Sequence, residues 1–201
     1  TSKTKNQYDL PFYFMGQVLE TNFDYEAPSS LLPLGDSDGY QHLYLEGKGK
    51  PSSDSSQFNW LVEGKFYTLT AATKATDELL FTRVGATDPE FNLRRDAALM
   101  FRRKDVSDTL FVSVIEPHGF YSPVSELSVN PNSNISSVKV VQDSDAYTAV
   151  TIMNVENQSS IFIVANADAS VSQRHQLTIG GKQYNWQGPY YLGEESMIGL
   201  R

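Results

Sequence analysis

The chain has 201 residues, 40% of them hydrophobic, a formal net charge of −8 and no cysteine. That is ample material for one core, and the absence of cysteine excludes disulfides, thiolate metal sites and a cysteine nucleophile. The negative balance speaks against nucleic acid as a partner, and no apolar run reaches the length of a membrane span.

The first six residues, Thr-Ser-Lys-Thr-Lys-Asn, do not read as a secretory signal. From there onward, apolar runs rich in Val, Ile, Phe, Tyr and Thr alternate with Gly, Pro, Asn, Asp and Ser. This is the punctuation of strands. Strands are predicted over 9–14, 17–25, 41–46, 58–62, 66–72, 78–84 and 93–103. More follow over 109–116, 124–129, 135–142, 146–155, 161–165, 173–179 and 184–186. In the strand at 41–46, Leu43 and Leu45 point inward, while His42, Tyr44 and Glu46 share a polar outer face. The stretches Phe111–Ile115 and Ile161–Val164 are apolar on both faces, as in strands buried between layers. Lys50-Pro-Ser-Ser-Asp-Ser-Ser56 is a polar loop, and Gly180-Gly181 marks a tight hairpin. No segment sustains a helical period with caps. The pattern predicts an all-β fold, an antiparallel β-sandwich of stacked multi-stranded sheets. Residues 1–201 then form a single all-β domain, with Asn130-Pro-Asn-Ser-Asn134 as a possible subdivision.

Chemistry-bearing residues concentrate in the middle. Arg83, Arg94, Arg95, Arg102, Arg103 and Lys104 are six of the sixteen Lys and Arg residues. On a strand, Arg95, Ala97, Leu99, Phe101 and Arg103 share a face with an apolar centre, and Arg94 and Arg102 share the other. Arg94 and Arg102 stand about 26 Å apart at strand rise, too far to clamp one carboxylate together. One reading pairs these arginines with neighbouring acids. The other sets Arg94 or Arg95 against a carboxylated ligand, for which the guanidinium fork is suited. His42, His118 and His175 are far apart in sequence and show no zinc spacing, so no metal site is predicted. Asp36-Ser-Asp-Gly39 opens like a calcium loop but lacks the later ligands and reads as a turn. No Gly-x-Ser-x-Gly elbow or phosphate-binding glycine loop is present, and no catalytic residue is assigned. Asn134-Ile-Ser136 and Asn157-Gln-Ser159 match the glycosylation sequon by form only.

Four stretches carry a family likeness, in this order: Gln7-Tyr-Asp-Leu-Pro11, Gly39-Tyr-Gln-His-Leu-Tyr-Leu-Glu-Gly47, the run from Gly85 through Asn92 and Arg94-Arg95 to Lys104, and Thr109 to Glu116-Pro-His-Gly119. Together they resemble the C-terminal β domain of family 17 polysaccharide lyases, the oligoalginate lyases of the heparinase II/III group. The resemblance implies the C-terminal part of a longer enzyme, whose α/α toroid is not in this sequence. It implies degradation of alginate oligosaccharides by β-elimination, with this portion walling the substrate cleft and packing on the helical domain. By itself the chain is expected to be inactive. Asn92, Arg94, Arg95, Glu116 and His118 are the candidate substrate-binding residues. The implied partners are an acidic polysaccharide or oligosaccharide and the toroid of the same protein, with neither nucleic acid nor membrane involved. No cofactor is expected, and the implied location is periplasmic or secreted. Two other classes fit the residues: an autonomous carbohydrate-binding module, for which exposed Trp60, Trp186 or tyrosines in a row would be the mark, and a purely structural β domain.

Overall fold

The computed structural model describes residues 12–14, 17–21, 24–26, 32–33, 43–84 and 96–195, and among these there is no helix. The strands are β1 (Phe12–Phe14), β2 (Gln17–Thr21), β3 (Asp24–Glu26), β4 (Leu32–Pro33), β5 (Leu43–Lys50), β6 (Ser55–Val62), β7 (Lys65–Ala72) and β8 (Glu78–Val84). They continue as β9 (Asp96–Arg102), β10 (Ser113–Ser122), β11 (Leu127–Val129), β12 (Ile135–Asp143), β13 (Tyr147–Asn154), β14 (Ser159–Ala165), β15 (Arg174–Ile179), β16 (Lys182–Gln187) and β17 (Tyr190–Glu195).

Every pairing is antiparallel. A six-stranded sheet runs β1-β2-β6-β7-β10-β11, and a five-stranded sheet runs β3-β5-β8-β9 with β4 also on β5. Beyond Val129 the chain enters a four-stranded sheet, β12-β13-β14-β17, accompanied by the hairpin β15-β16. The predicted all-β sandwich of antiparallel sheets is what the chain forms.

Two apolar clusters hold these layers. In β6, alternation puts Phe58 and Trp60 on the face that Leu69 of β7 shares, because Phe58 lies opposite Leu69. They meet Leu79 and Phe81 of β8 and Leu99 and Phe101 of β9, so the first core lies between the six- and five-stranded sheets. Phe58 and Phe101 meet edge to face, with centroids 5.6 Å apart. The second core sets Ala149, Ile161, Ile163 and Tyr191 against Leu177, Ile179, Tyr184 and Trp186 of the terminal hairpin. Each large side chain fully buried there contributes about 1.5–3 kcal/mol.

The contact between the two parts is more polar. Strand β12 lies against the outer face of β7 and β6, where Thr68 and Thr70 are fully buried. The Gln57 side-chain amide donates to the Ile135 carbonyl at 2.5 Å, and the Val138 amide donates to the Ser55 hydroxyl at 3.2 Å.

Several predicted elements differ in detail. The strand predicted over 17–25 is two strands, β2 and β3, in different sheets. Strands β4 and β17 were not predicted; Gly188, Pro189 and Gly193 give the last segment the composition of a loop. Lys50, Ser55 and Ser56 belong to strands, leaving only 51–54 between β5 and β6. The strand predicted over 109–116 begins at Ser113 and continues to Ser122. Its Phe111–Ile115 stretch is not buried on both faces, since Phe111 is 50% and Ile115 58% exposed. The apolar run there reflects a face left open to solvent, whereas Ile161 and Ile163 are fully buried. His42 lies outside the described residues. At Gly180-Gly181 both residues have positive φ, 58° and 83°, and close the β15–β16 hairpin as their sequence predicts.

Candidate functional site

The basic run that ends β9 resolves into ion pairs. Arg102 Nε donates to Glu78 at 2.7 Å, and Lys104 Nζ reaches the same carboxylate at 3.1 Å. Arg103 lies against Asp77 in a two-pronged contact, Nε to Oδ1 at 2.6 Å and a terminal nitrogen to Oδ2 at 2.7 Å. Its other terminal nitrogen donates to the Thr109 hydroxyl and to the Leu110 carbonyl. Both side chains of that pair are buried, 5% and 1% exposed. Burial alone would raise the Asp77 pKa. The Arg103 hydrogen bonds, the Lys74 backbone N–H and the two positive charges outweigh it and hold the carboxyl below its ordinary value. For Glu78, burial is likewise outweighed by Arg102 and Lys104, and its pKa is lowered. Arg102, Arg103 and Lys104 thus follow the reading in which the cluster is neutralised by neighbouring acids. Because β8 and β9 pair directly, Glu78 stands opposite Arg102. The pairing is written into the register.

Glu116 and His118 sit on one face of β10, between β7 and β11. They do not lie at a strand end, as the Pro-His-Gly sequence suggests; the strand passes through them with an irregularity between His118 and Phe120. Gly119 makes this possible. Its φ is +40°, and a Cβ there would lie 2.0 Å from the Asn130 carbonyl oxygen. That close approach brings the Asn130 carbonyl to His118 Nδ1, which donates to it at 2.9 Å. The Thr68 hydroxyl bridges His118 Nε2 at 2.7 Å and the Asn59 side-chain oxygen at 2.5 Å, and the His118 ring lies parallel to Phe66. Two residues earlier, the Glu116 carboxylate accepts from the backbone N–H groups of Asn134 and Ile135, at 3.0 and 3.4 Å, and from the Ser133 hydroxyl. Both side chains therefore fasten the 130–135 connection to the six-stranded sheet. Asn92, Arg94 and Arg95 lie outside the described residues.

The two tryptophans are committed to packing. Trp60 joins the first core and stacks on Tyr67, and Trp186 lies in the second core against His175, with centroids 4.9 Å apart. They form no exposed aromatic row. His175 is buried, with Nδ1 3.3 Å from the Tyr147 hydroxyl and Nε2 without a partner. Among the described residues, no three His, Asp or Glu side chains gather as a metal site would require.

A cavity of about 230 Å³ opens where the 51–54 loop, the β7–β8 turn, the 103–112 loop and β12 meet. Lys74, Arg103 and Lys139 line it, with Asp54, Leu110 and Val140. Sequence reading did not single this site out. Its residues come from four separated segments, and no local motif joins them.

No protein-family model matches the chain. Over 185 residues, 92% of its length, it is 36% identical to an alginate lyase of Stenotrophomonas maltophilia (strain K279a). Over 90% of its length it is 30% identical to an exo-oligoalginate lyase of Saccharophagus degradans (strain 2-40 / ATCC 43961 / DSM 17024). In each case the chain spans about a quarter of the relative's length.

Proposed function

We propose that this chain is the β-sandwich portion of a lyase that degrades alginate oligosaccharides, of family 17 in the heparinase II/III group. The observation that carries the reading is 36% identity, across 92% of the chain, to a protein named alginate lyase. In such a reaction a base removes the proton at C5 of a uronate and the 4-oxygen leaves with a proton from an acid. The electron pair of the broken C–H bond forms the new C4–C5 double bond. The carboxylate must be neutralised while charge develops on it, and base and acid must flank one ring.

Within this reading the chain contributes a wall of the cleft and a docking partner for a helical domain elsewhere in the same polypeptide. Asn92, Arg94 and Arg95 are the groups proposed to face the uronate. Glu116 and His118 act on substrate through the shape of the wall they fasten. The resemblance assigns the base, the acid and the carboxylate-neutralising groups mainly to the helical domain, so the chain alone is inactive in this proposal. No cofactor is invoked, and a periplasmic or secreted location suits a polysaccharide substrate. The rival reading, an autonomous carbohydrate-binding module, is disfavoured because Trp60 and Trp186 are spent on the two cores.

The product's conjugated double bond absorbs in the ultraviolet, which supplies the test. The 201-residue chain and the longer polypeptide containing it are incubated with alginate oligomers, poly-mannuronate, poly-guluronate and heparan sulfate. Absorbance should grow with the longer polypeptide on alginate oligomers and not with the chain alone. A longer polypeptide inert on every uronate would overturn the proposal.

A further inference from the structure

We propose that the cavity between the β7–β8 turn and β12 is a binding site for one uronate unit of an acidic oligosaccharide. This rests on the alginate reading for the identity of the sugar, and on the cavity itself for its place and chemistry. The volume, about 230 Å³, falls below the range of drug-sized pockets and suits a single sugar ring. It also lies where pockets concentrate, at the junction of two packed units.

The charge of the lining distinguishes it. The chain as a whole carries −8, yet three cationic residues and one acid line this cavity. Arg103 is already spent on Asp77, Thr109 and Leu110, which makes it a rigid piece of wall. Lys74 and Lys139 are different. Each is exposed, and neither ammonium takes part in the ion pairs Arg102–Glu78, Arg103–Asp77 and Lys104–Glu78. Lys74 also acts on Asp77 through its charge, but its flexible stem and that of Lys139 can carry both ammonium groups over a carboxylate held in the cavity. Asp54 opposes a second carboxylate but accepts hydrogen bonds from sugar hydroxyls. Leu110 and Val140 give the C–H face of a ring an apolar surface. One acidic group among several hydroxyls is the ligand that this combination matches.

The experiment titrates the 201-residue chain with mannuronate and guluronate trimers, and with a neutral glucan trimer, by calorimetry and by methyl NMR. Saturable binding of a uronate trimer is expected, weakening as salt is added, with shifts concentrated at Leu110 and Val140. Lys74→Ala or Lys139→Ala should each weaken it about two- to fivefold, and the double substitution about tenfold. Lys182→Ala, on the terminal hairpin and outside the lining, should leave it unchanged. Equal affinity for the neutral glucan, shifts elsewhere on the chain, an unaffected double variant, or no saturation by either uronate would each overturn the proposal. The methyl shifts use the unsubstituted chain, so a misfolded variant cannot obscure the answer. Cleavage of alginate by the longer polypeptide together with any of these results would sink this site and leave the lyase reading standing.

Discussion

The buried pair between Arg103 and Asp77 ties the end of β9 to the start of β8. Removing one partner leaves a charge stranded in the interior, so Arg103→Ala should cost about 3–5 kcal/mol. Arg102→Ala, which breaks a pair about a quarter exposed, should cost no more than about 1 kcal/mol. Urea unfolding measures both, and equal losses would refute the distinction. The same pair sets an acid limit. Asp77 has a folded-state pKa below its ordinary 3.8, so its stabilisation is present above the unfolded value and is lost as pH falls through the folded one. Urea midpoints should therefore decline as pH drops from about 5 to below 3.8. In Asp77→Asn that part of the decline should vanish. The arginine cluster was visible in the sequence. Which members were already paired was not, because Asp77 and Glu78 lie 26 residues from Arg103 and Lys104 and only the β8–β9 register sets them side by side.

At the scale of elements, β10 shows how a local signal misleads when a neighbour decides. Pro117-His118-Gly119 has the composition of a turn, yet the strand continues because Gly119 absorbs the irregularity at positive φ. Any side chain at that position would collide with the backbone of residues 129 and 130. Gly119→Ala should therefore destabilise by about 2–4 kcal/mol, mainly through backbone displacement, as read from thermal or urea unfolding. It should also loosen the His118–Asn130 bond, visible as faster amide exchange in the 129–135 connection. A neutral result would mean that the connection is not fastened there. The β15–β16 hairpin behaves in the opposite way: Gly180-Gly181 supplies its own turn, and the sequence sufficed.

For the whole molecule, two cores share a contact that is partly polar, and each core contains one tryptophan. In variants keeping only Trp60 or only Trp186, fluorescence reports the two cores separately. Ile161→Ala should cost about 2–5 kcal/mol and lower the urea midpoint seen by Trp186 more than that seen by Trp60. Identical shifts would show one cooperative unit. By itself, the sequence determined the class of fold: strand-length apolar runs, frequent turn residues and the absence of helical periodicity leave antiparallel layers as the way to bury these side chains. It also determined the hairpin at Gly180 and the location of most strands, since those signals lie within a few residues of each other. Only the tertiary structure decided which sheet each strand joins, why the Phe111–Ile115 run is half exposed, and that Glu116 and His118 grip the 130–135 connection. It alone gathers Lys74, Arg103 and Lys139 around one cavity. Those outcomes rest on contacts between residues far apart in sequence, and strand alternation fixes which face a side chain takes without fixing what that face will meet.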